Sequence, residues 1–283
     1  MNKETEGTLL ALLGMLLYGL EPVVIKANPA NPMSFAAFSA LIASLILWPI
    51  VLLTSSWREA KENPQYIPKA FLVGVFGTAL AYISYSYGAQ LSTAINASLI
   101  TRAEVLFSFV LAYIFLKEKI TKEQLFWSFS ILTGLFLVIT QGRTIIPRKG
   151  DFLLLLVPLF WQSGHVIAKK LPYSPFLIAA FRNTFGGFLL FLLALPFGLE
   201  FSKIAIAEGI ILSFGQVIWY LAIKRINLSK ATAIITPAPA VAIGIAILMG
   251  EKFTLYHLAG FILITLGTFM VSRIKSELKE PAQ

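Results

Sequence analysis

GTLLALLGMLLYGLEPVVIKANPANPMSFAAF, residues 7–38, returns 143 positions later as GDFLLLLVPLFWQSGHVIAKKLPYSPFLIAAF, residues 150–181. Gly7 aligns with Gly150, Tyr18 with Trp161, Val23 with Val166 and Lys26 with Lys169. Pro29 then aligns with Pro172, Pro32 with Pro175, and Ala36-Ala37-Phe38 with Ala179-Ala180-Phe181. Farther along the offset falls to 133. Glu118-Lys119 aligns with Glu251-Lys252, Thr121 with Thr254, Gly134 with Gly267, Phe136 with Phe269 and Val138 with Val271. The offset changes between these blocks, where the polar stretch 54–69 is matched only by 196–203. Two copies of one apolar unit are a common plan of secondary transporters.

Composition agrees. Of 283 residues 57% are apolar and 13% charged, against about 25% charge in soluble domains. Apolar runs of roughly 20 residues cross a hydrocarbon core of about 30 Å. Ten are expected: 7–27, 33–54, 69–90, 94–116, 122–141, 151–169, 174–196, 203–225, 229–249 and 254–273. The expected class is an all-α integral membrane protein of ten helices in two five-helix repeats. The first repeat covers 1–141, a linker 142–150, the second repeat 151–273 and a cytoplasmic tail 274–283. The first segment has no small-residue cleavage pattern and has a repeat partner, so it reads as a retained helix. Connections are too short for a soluble catalytic domain. With no cysteine, disulfides and thiolate chemistry are excluded.

The net charge of +9 belongs to loops rather than to one face, which argues for membrane orientation over nucleic-acid binding. With the N-terminus inside, 15 Lys and Arg fall on the cytoplasmic side (3, 58, 61, 69, 117, 119, 122, 169, 170, 224, 225, 230, 273, 275 and 279). The other side holds 6, at 26, 143, 148, 149, 203 and 252. Both termini are therefore expected in the cytoplasm of a cell-membrane protein. Five spans per repeat, an odd number, make the repeats inverted.

Strongly polar groups at bilayer depth are costly and normally face the bundle interior. Glu21 lies between Gly19 and Pro22, well inside segment 1; Arg102 and Glu104 are near the middle of segment 4. Arg182, His165 and Gln216 are deep in segments 7, 6 and 8. Helical spacing puts Tyr18 beside Glu21, Trp161 beside His165, Tyr82 beside Tyr85, and Gln216 beside Trp219 and Tyr220. Arg102 and Glu104, two apart, are expected to diverge, leaving Arg102 for Glu21 or for an anionic group of a solute. Glu21, Glu104 and His165 are the candidates for proton coupling. Arg182 is instead a candidate for a structural ion pair with Glu21, and His165 equally reads as a packing residue. Glu118-Lys119 and Glu251-Lys252, at helix ends, read as boundary anchors. Thr236-Pro237-Ala238-Pro239 predicts a broken or kinked segment 9. The two histidines, His165 and His257, lack metal-ligand spacing, and there is no Walker loop or serine-nucleophile motif. No metal, cofactor or enzymatic activity is expected.

The chain resembles EamA-type members of the drug/metabolite transporter superfamily over essentially its full length. The resemblance rests on Tyr18-Gly19 with Lys26, on Trp161 with Lys169, and on Phe181-Arg182. It rests further on Glu104 through Leu116-Lys117-Glu118-Lys119, on Pro237 through Met249-Gly250-Glu251-Lys252, and on Gly134 and Gly267. Ser39 departs from the pattern where the second half has Arg182, as does Val105 after Glu104. The resemblance implies an inverted five-plus-five arrangement around a cavity lined by helices 1, 3, 4, 6, 8 and 9. It also implies alternating access and export of amino acids or related metabolites, often proton-coupled. The expected carrier rocks one half against the other, as a monomer or homodimer in the lipid bilayer. Tyr18, Tyr82, Tyr85, Trp161, Gln216 and Trp219 shape its site. The alternatives are an exchanger of sugar phosphates or nucleotide-linked sugars, with Arg102 and Arg182 clasping phosphate, and a non-transporting scaffold or lipid-binding subunit.

Overall fold

The computed structural model describes residues 3–116, 121–142, 148–168, 170–226, 234–235 and 237–274. Among these the chain is helical, without a strand. The main helices are α1 (Lys3–Lys26), α2 (Pro32–Leu53), α3 (Pro64–Leu91), α4 (94–116), α5 (Lys122–Thr140), α6 (Lys149–Ala168), α7 (Pro175–Ala194), α8 (Ile204–Arg225), α9 (Ala238–Leu248) and α10 (Leu255–Arg273). A short helix, Trp57–Glu62, precedes α3. Seven of the described helices, α1, α2, α3 and α5 to α8, are long and apolar enough to cross a membrane; Ala238–Leu248 and Leu255–Val271 are shorter apolar helices. Large apolar side chains such as Leu45, Phe129, Phe188 and Leu248 stand exposed on the outside of the bundle, as a lipid-facing surface requires.

Positions aligned in the sequence open their helices with like caps. Asn31 caps α2, its side chain accepting from the backbone N–H of Met33 at 2.9 Å, with Pro32 following. At the repeat-related position Ser174 caps α7, with Pro175 following. A proline in the first turn gives up no intrahelical bond. Thr121 and Thr254 each open their helix with a capping box, closed by Gln124 in α5 and by His257 in α10. Equivalent sequence therefore gives equivalent helix ends.

The principal packing runs between the halves rather than within them. α2 packs on α7, α5 on α10 and α4 on α9; α1 lies against α8 and α9, and α6 against α3 and α4; α2 meets α8, and α7 meets α3. Exchanging the halves returns the same set of pairs. The symmetric pairs are antiparallel. In α2 and α7, Gly187 lies against Ala40 while Ser44 bonds to Thr184 at 2.7 Å. In α5 and α10, Gly134 faces Gly260 and Ile264 while Gly267 faces Trp127 and Ile131. Packing of this kind interleaves the helices of the two halves.

Segment 9 is interrupted at its prolines. Residues 227–233 and Thr236 lie outside the described residues. Residues 234–235 are helical, Pro237 is a turn and α9 begins at Ala238, so Pro239 stands in the first turn of a new helix.

Candidate functional site

The polar groups of the interior divide into two sets. One closes an end of the bundle. Asp151, 1% exposed at the start of α6, accepts from the Ser92 hydroxyl at 2.5 Å, the Asn96 amide at 3.0 Å and the Arg148 N–H at 3.1 Å. Lys26, the last residue of α1, donates to the carbonyls of Gln90 and Ser92 at 3.0 and 2.9 Å. Glu251 accepts from the N–H groups of Ala94 and Ile95 at 2.7 and 3.0 Å, occupying the N-terminus of α4, where a carboxylate is favoured. His257 Nε2 reaches Asn96 Oδ1 at 3.1 Å. Glu251 thus anchors a helix of the other half; its repeat partner Glu118 lies outside the described residues.

The second set sits deeper, on the helix faces toward the axis. Glu21 is 3% exposed. Gly19 beside it lets α9 approach so closely that a Cβ there would lie 2.8 Å from the Ala238 carbonyl oxygen. Pro22 supplies no N–H and frees a carbonyl one turn back. The Tyr82 hydroxyl donates to Glu21 Oε1. Tyr82, Tyr85 and Trp161 form one aromatic cluster, with centroids 6.2 Å apart for Tyr82–Tyr85 and for Tyr82–Trp161, and 5.6 Å for Tyr85–Trp161. Tyr18 packs edge-on against Trp219 at 6.4 Å and donates to the Gly215 carbonyl at 3.2 Å. His165 packs against Tyr220 at 6.5 Å. Arg182, Arg102 and Glu104 lie near enough to act electrostatically on Glu21, and Arg182 on His165. The sequence candidates therefore converge on one region.

Their pairings differ from those expected. Arg102 and Glu104 form an ion pair, Nη1 to Oε1 at 3.0 Å. Thr101–Ala103 is a 3-10 turn, and at three residues per turn positions two apart are about 120° apart instead of roughly 160° in an α-helix. The guanidinium spans that gap. Arg182 makes no ion pair with Glu21 within the described residues. Instead its Nη2 donates to the Gly77 carbonyl at 2.5 Å and its Nε to Thr78 Oγ1 at 3.3 Å. The cause is the π-helical turn Val75–Leu80 in α3, a widened turn that spoils regular pairing of its carbonyls. Gly77 is needed there, since a Cβ would lie 3.0 Å from Arg182 Nε. Gln216 accepts from the Asn183 amide at 2.8 Å.

Several buried atoms in this region have no hydrogen-bond partner among the described residues: Ser39 Oγ, Ser86 Oγ, Arg102 Nε, Trp161 Nε1, Asn183 Oδ1, Gln216 Nε2, Tyr220 Oη and both oxygens of Glu208. They come from α2, α3, α4, α6, α7 and α8. Native proteins satisfy roughly 90% or more of such groups, so a concentration of exceptions marks a place that polar solutes or water are built to visit. Glu208, Asn183 and Tyr220 were not singled out from sequence as site groups. For Glu208 the signal was present, as a lone acid within the apolar run IAIAEGIIL (204–212). An apolar groove lined by Phe129, Leu132, Thr133 and Phe136 on α5 belongs to the lipid-facing surface and plays no part here.

Known proteins agree with this architecture. The sequence model of the EamA-like transporter family matches residues 5–140 and 148–273, once in each half. The uncharacterized transporter YyaM of Bacillus subtilis (strain 168) is 24% identical over 265 residues, covering 86% of this chain and 85% of its own. An uncharacterized transporter of Archaeoglobus fulgidus is 25% identical over 283 residues, covering 92% and 96%. A solved crystal structure superposes with a TM-score of 0.67 at 14% identity, covering 94% of this chain and 98% of its own, a likeness of fold alone.

Proposed function

Because this chain belongs to the EamA-like transporter family and is a multi-pass membrane transporter, we propose that it is a secondary carrier exporting a small polar metabolite. The solute is an amino acid or a close relative, moved by alternating access and coupled to protons. Ten spans in two inverted five-helix repeats, with both termini in the cytoplasm of the cell membrane, frame this reading. It is supported by the exchange symmetry of the helix pairs and by the antiparallel packing of α2 on α7 and of α5 on α10. The end closed by Lys26, Asp151 and Glu251 is then the outer one.

One observation carries the proposal. Glu21, held by Tyr82 against the rings of Tyr85 and Trp161, adjoins a concentration of buried polar atoms that the protein leaves without partners. A scaffold has no use for these, since each unpaired buried group costs about 1–3 kcal/mol. A phosphate exchanger is disfavoured, because Arg102 is engaged by Glu104 and Arg182 by Gly77 and Thr78. The aromatic faces with Glu21 suit an ammonium group, and Asn183, Gln216 and the Arg102 Nε suit a carboxylate.

The test begins with thermal-shift screening of purified protein against amino acids, sugar phosphates and nucleotides. A ligand of the folded state raises stability by RT ln(1 + [L]/Kd). An amino acid is expected to stabilise. Counterflow of that amino acid in proteoliposomes should fall to background in Glu21→Gln. Stabilisation by sugar phosphates alone, or undiminished counterflow in the variant, refutes the reading.

A further inference from the structure

Glu208 is fully buried, 0% exposed, in the first turns of α8, and neither carboxylate oxygen has a hydrogen-bond partner among the described residues. Every other buried acid in the described interior is engaged. Glu21 accepts from Tyr82 and Asp151 from three donors, while Glu104, half-buried, pairs with Arg102. An ionised carboxylate without donor or cation in an apolar setting is the costliest group a fold can hold, and it relieves that cost by taking up a proton or a cation.

The surroundings of Glu208 choose between these. α8 packs against α1, α2 and α7. α2 contains no ionisable residue. α7 contributes Arg182 alone, and that guanidinium is bonded to Gly77 and Thr78. From α1 the charged neighbour acting on Glu208 is Glu21, a like charge, with Tyr18 beside it; from α3, Tyr82 and Tyr85 lie within electrostatic reach of both acids. No cation pairs with Glu208 among the described residues. Among the described residues no cluster of carboxylates and histidines gathers around Glu208 that could hold a metal ion. A proton needs no such cluster.

We propose that Glu208 is a proton-binding site of this protein, occupied in the present conformation and emptied when α8 shifts relative to α2. In the axial region three carboxyl groups, Glu21, Glu104 and Glu208, face two guanidiniums, Arg102 and Arg182, so a single proton restores neutrality. That proton forms an O–H bond on the Glu208 carboxylate when taken up from one side of the membrane, and the same bond breaks when it is released to the other. The binding step stands on the geometry of Glu208 alone; its role in coupling rests on the carrier reading above.

Infrared difference spectroscopy of the purified full chain in nanodiscs, titrated from neutral to alkaline pH, tests the binding step with the proton as the only ligand. A protonated-carboxyl band is expected at neutral pH. It should vanish in Glu208→Gln and change frequency in Glu208→Asp, which keeps an acid at the position should the amide variant fold poorly. A band identical in wild type and both variants overturns the assignment. For coupling, the amino acid found to stabilise the protein is used in proteoliposomes. Glu208→Gln should lose accumulation driven by a pH gradient by a much larger factor than any fall in its counterflow; accumulation equal to wild type, or reduced no more than counterflow, overturns the coupling role. Wild type that moves no solute in either assay refutes the carrier reading, while the infrared result still decides Glu208.

Discussion

The end of the bundle around Asp151 and the region around Glu21 are built from the same residue types and treated in opposite ways. At the end, Asp151, Glu251, Lys26, Asn96 and His257 have partners, mostly across elements far apart in sequence. A few turns away, Glu208, Asn183, Gln216, Ser39 and Trp161 hold polar atoms with none. Asp151, Asn96 and His257 are buried as Glu208, Asn183 and Gln216 are, so solvent exposure alone does not explain the contrast. A satisfied network contributes rigidity, because opening it orphans several donors at once. An unsatisfied one contributes little stability and keeps its groups available. The first behaves as closure and the second as recognition.

That contrast can be broken by mutation. Asp151→Ala should have the largest effect on stability, about 1–3 kcal/mol for the donors it strands, read as a fall in the apparent melting temperature in detergent. Glu251→Gln, which keeps the shape and loses the charge at the N-terminus of α4, should cost about 0.3–1 kcal/mol by the same measurement. Ser39→Ala should be the mildest, within about 0.5 kcal/mol of wild type and of either sign, since it removes a hydroxyl that bonds to nothing. Equal losses in Asp151→Ala and Ser39→Ala would erase the distinction between the two regions. A loss of transport in Asp151→Ala without a loss of stability would reverse their roles.

Much of this fold is legible in residue order. The repeat of Asn31-Pro32 in Ser174-Pro175, and of Thr121 in Thr254, marks helix starts that the structure reproduces with matching caps. Depth within an apolar run also suffices to bring Tyr18, Glu21, Tyr82, Tyr85, Trp161 and His165 into one neighbourhood. What escapes is what departs from a regular α-helix. The Arg102–Glu104 pair depends on the 3-10 turn at Thr101–Ala103, and the engagement of Arg182 depends on the π turn at Val75–Leu80; neither turn has a signature in side-chain periodicity. Glu208 escapes for another reason: it stands only five residues past Lys203 in the chain, close to a helix end, yet the structure buries it completely.

The grip of Arg182 on the π turn has a consequence for biosynthesis. Gly77 and Thr78 leave the ribosome more than a hundred residues before the arginine that satisfies them, so α3 is made with polar backbone that nothing yet covers. The nascent first half must shelter that turn, in the insertion machinery or as a regular helix, until α7 arrives. The widened turn is then acquired late in assembly, and a chain stalled before residue 182 should be a far better substrate for quality-control proteases than one stalled after it.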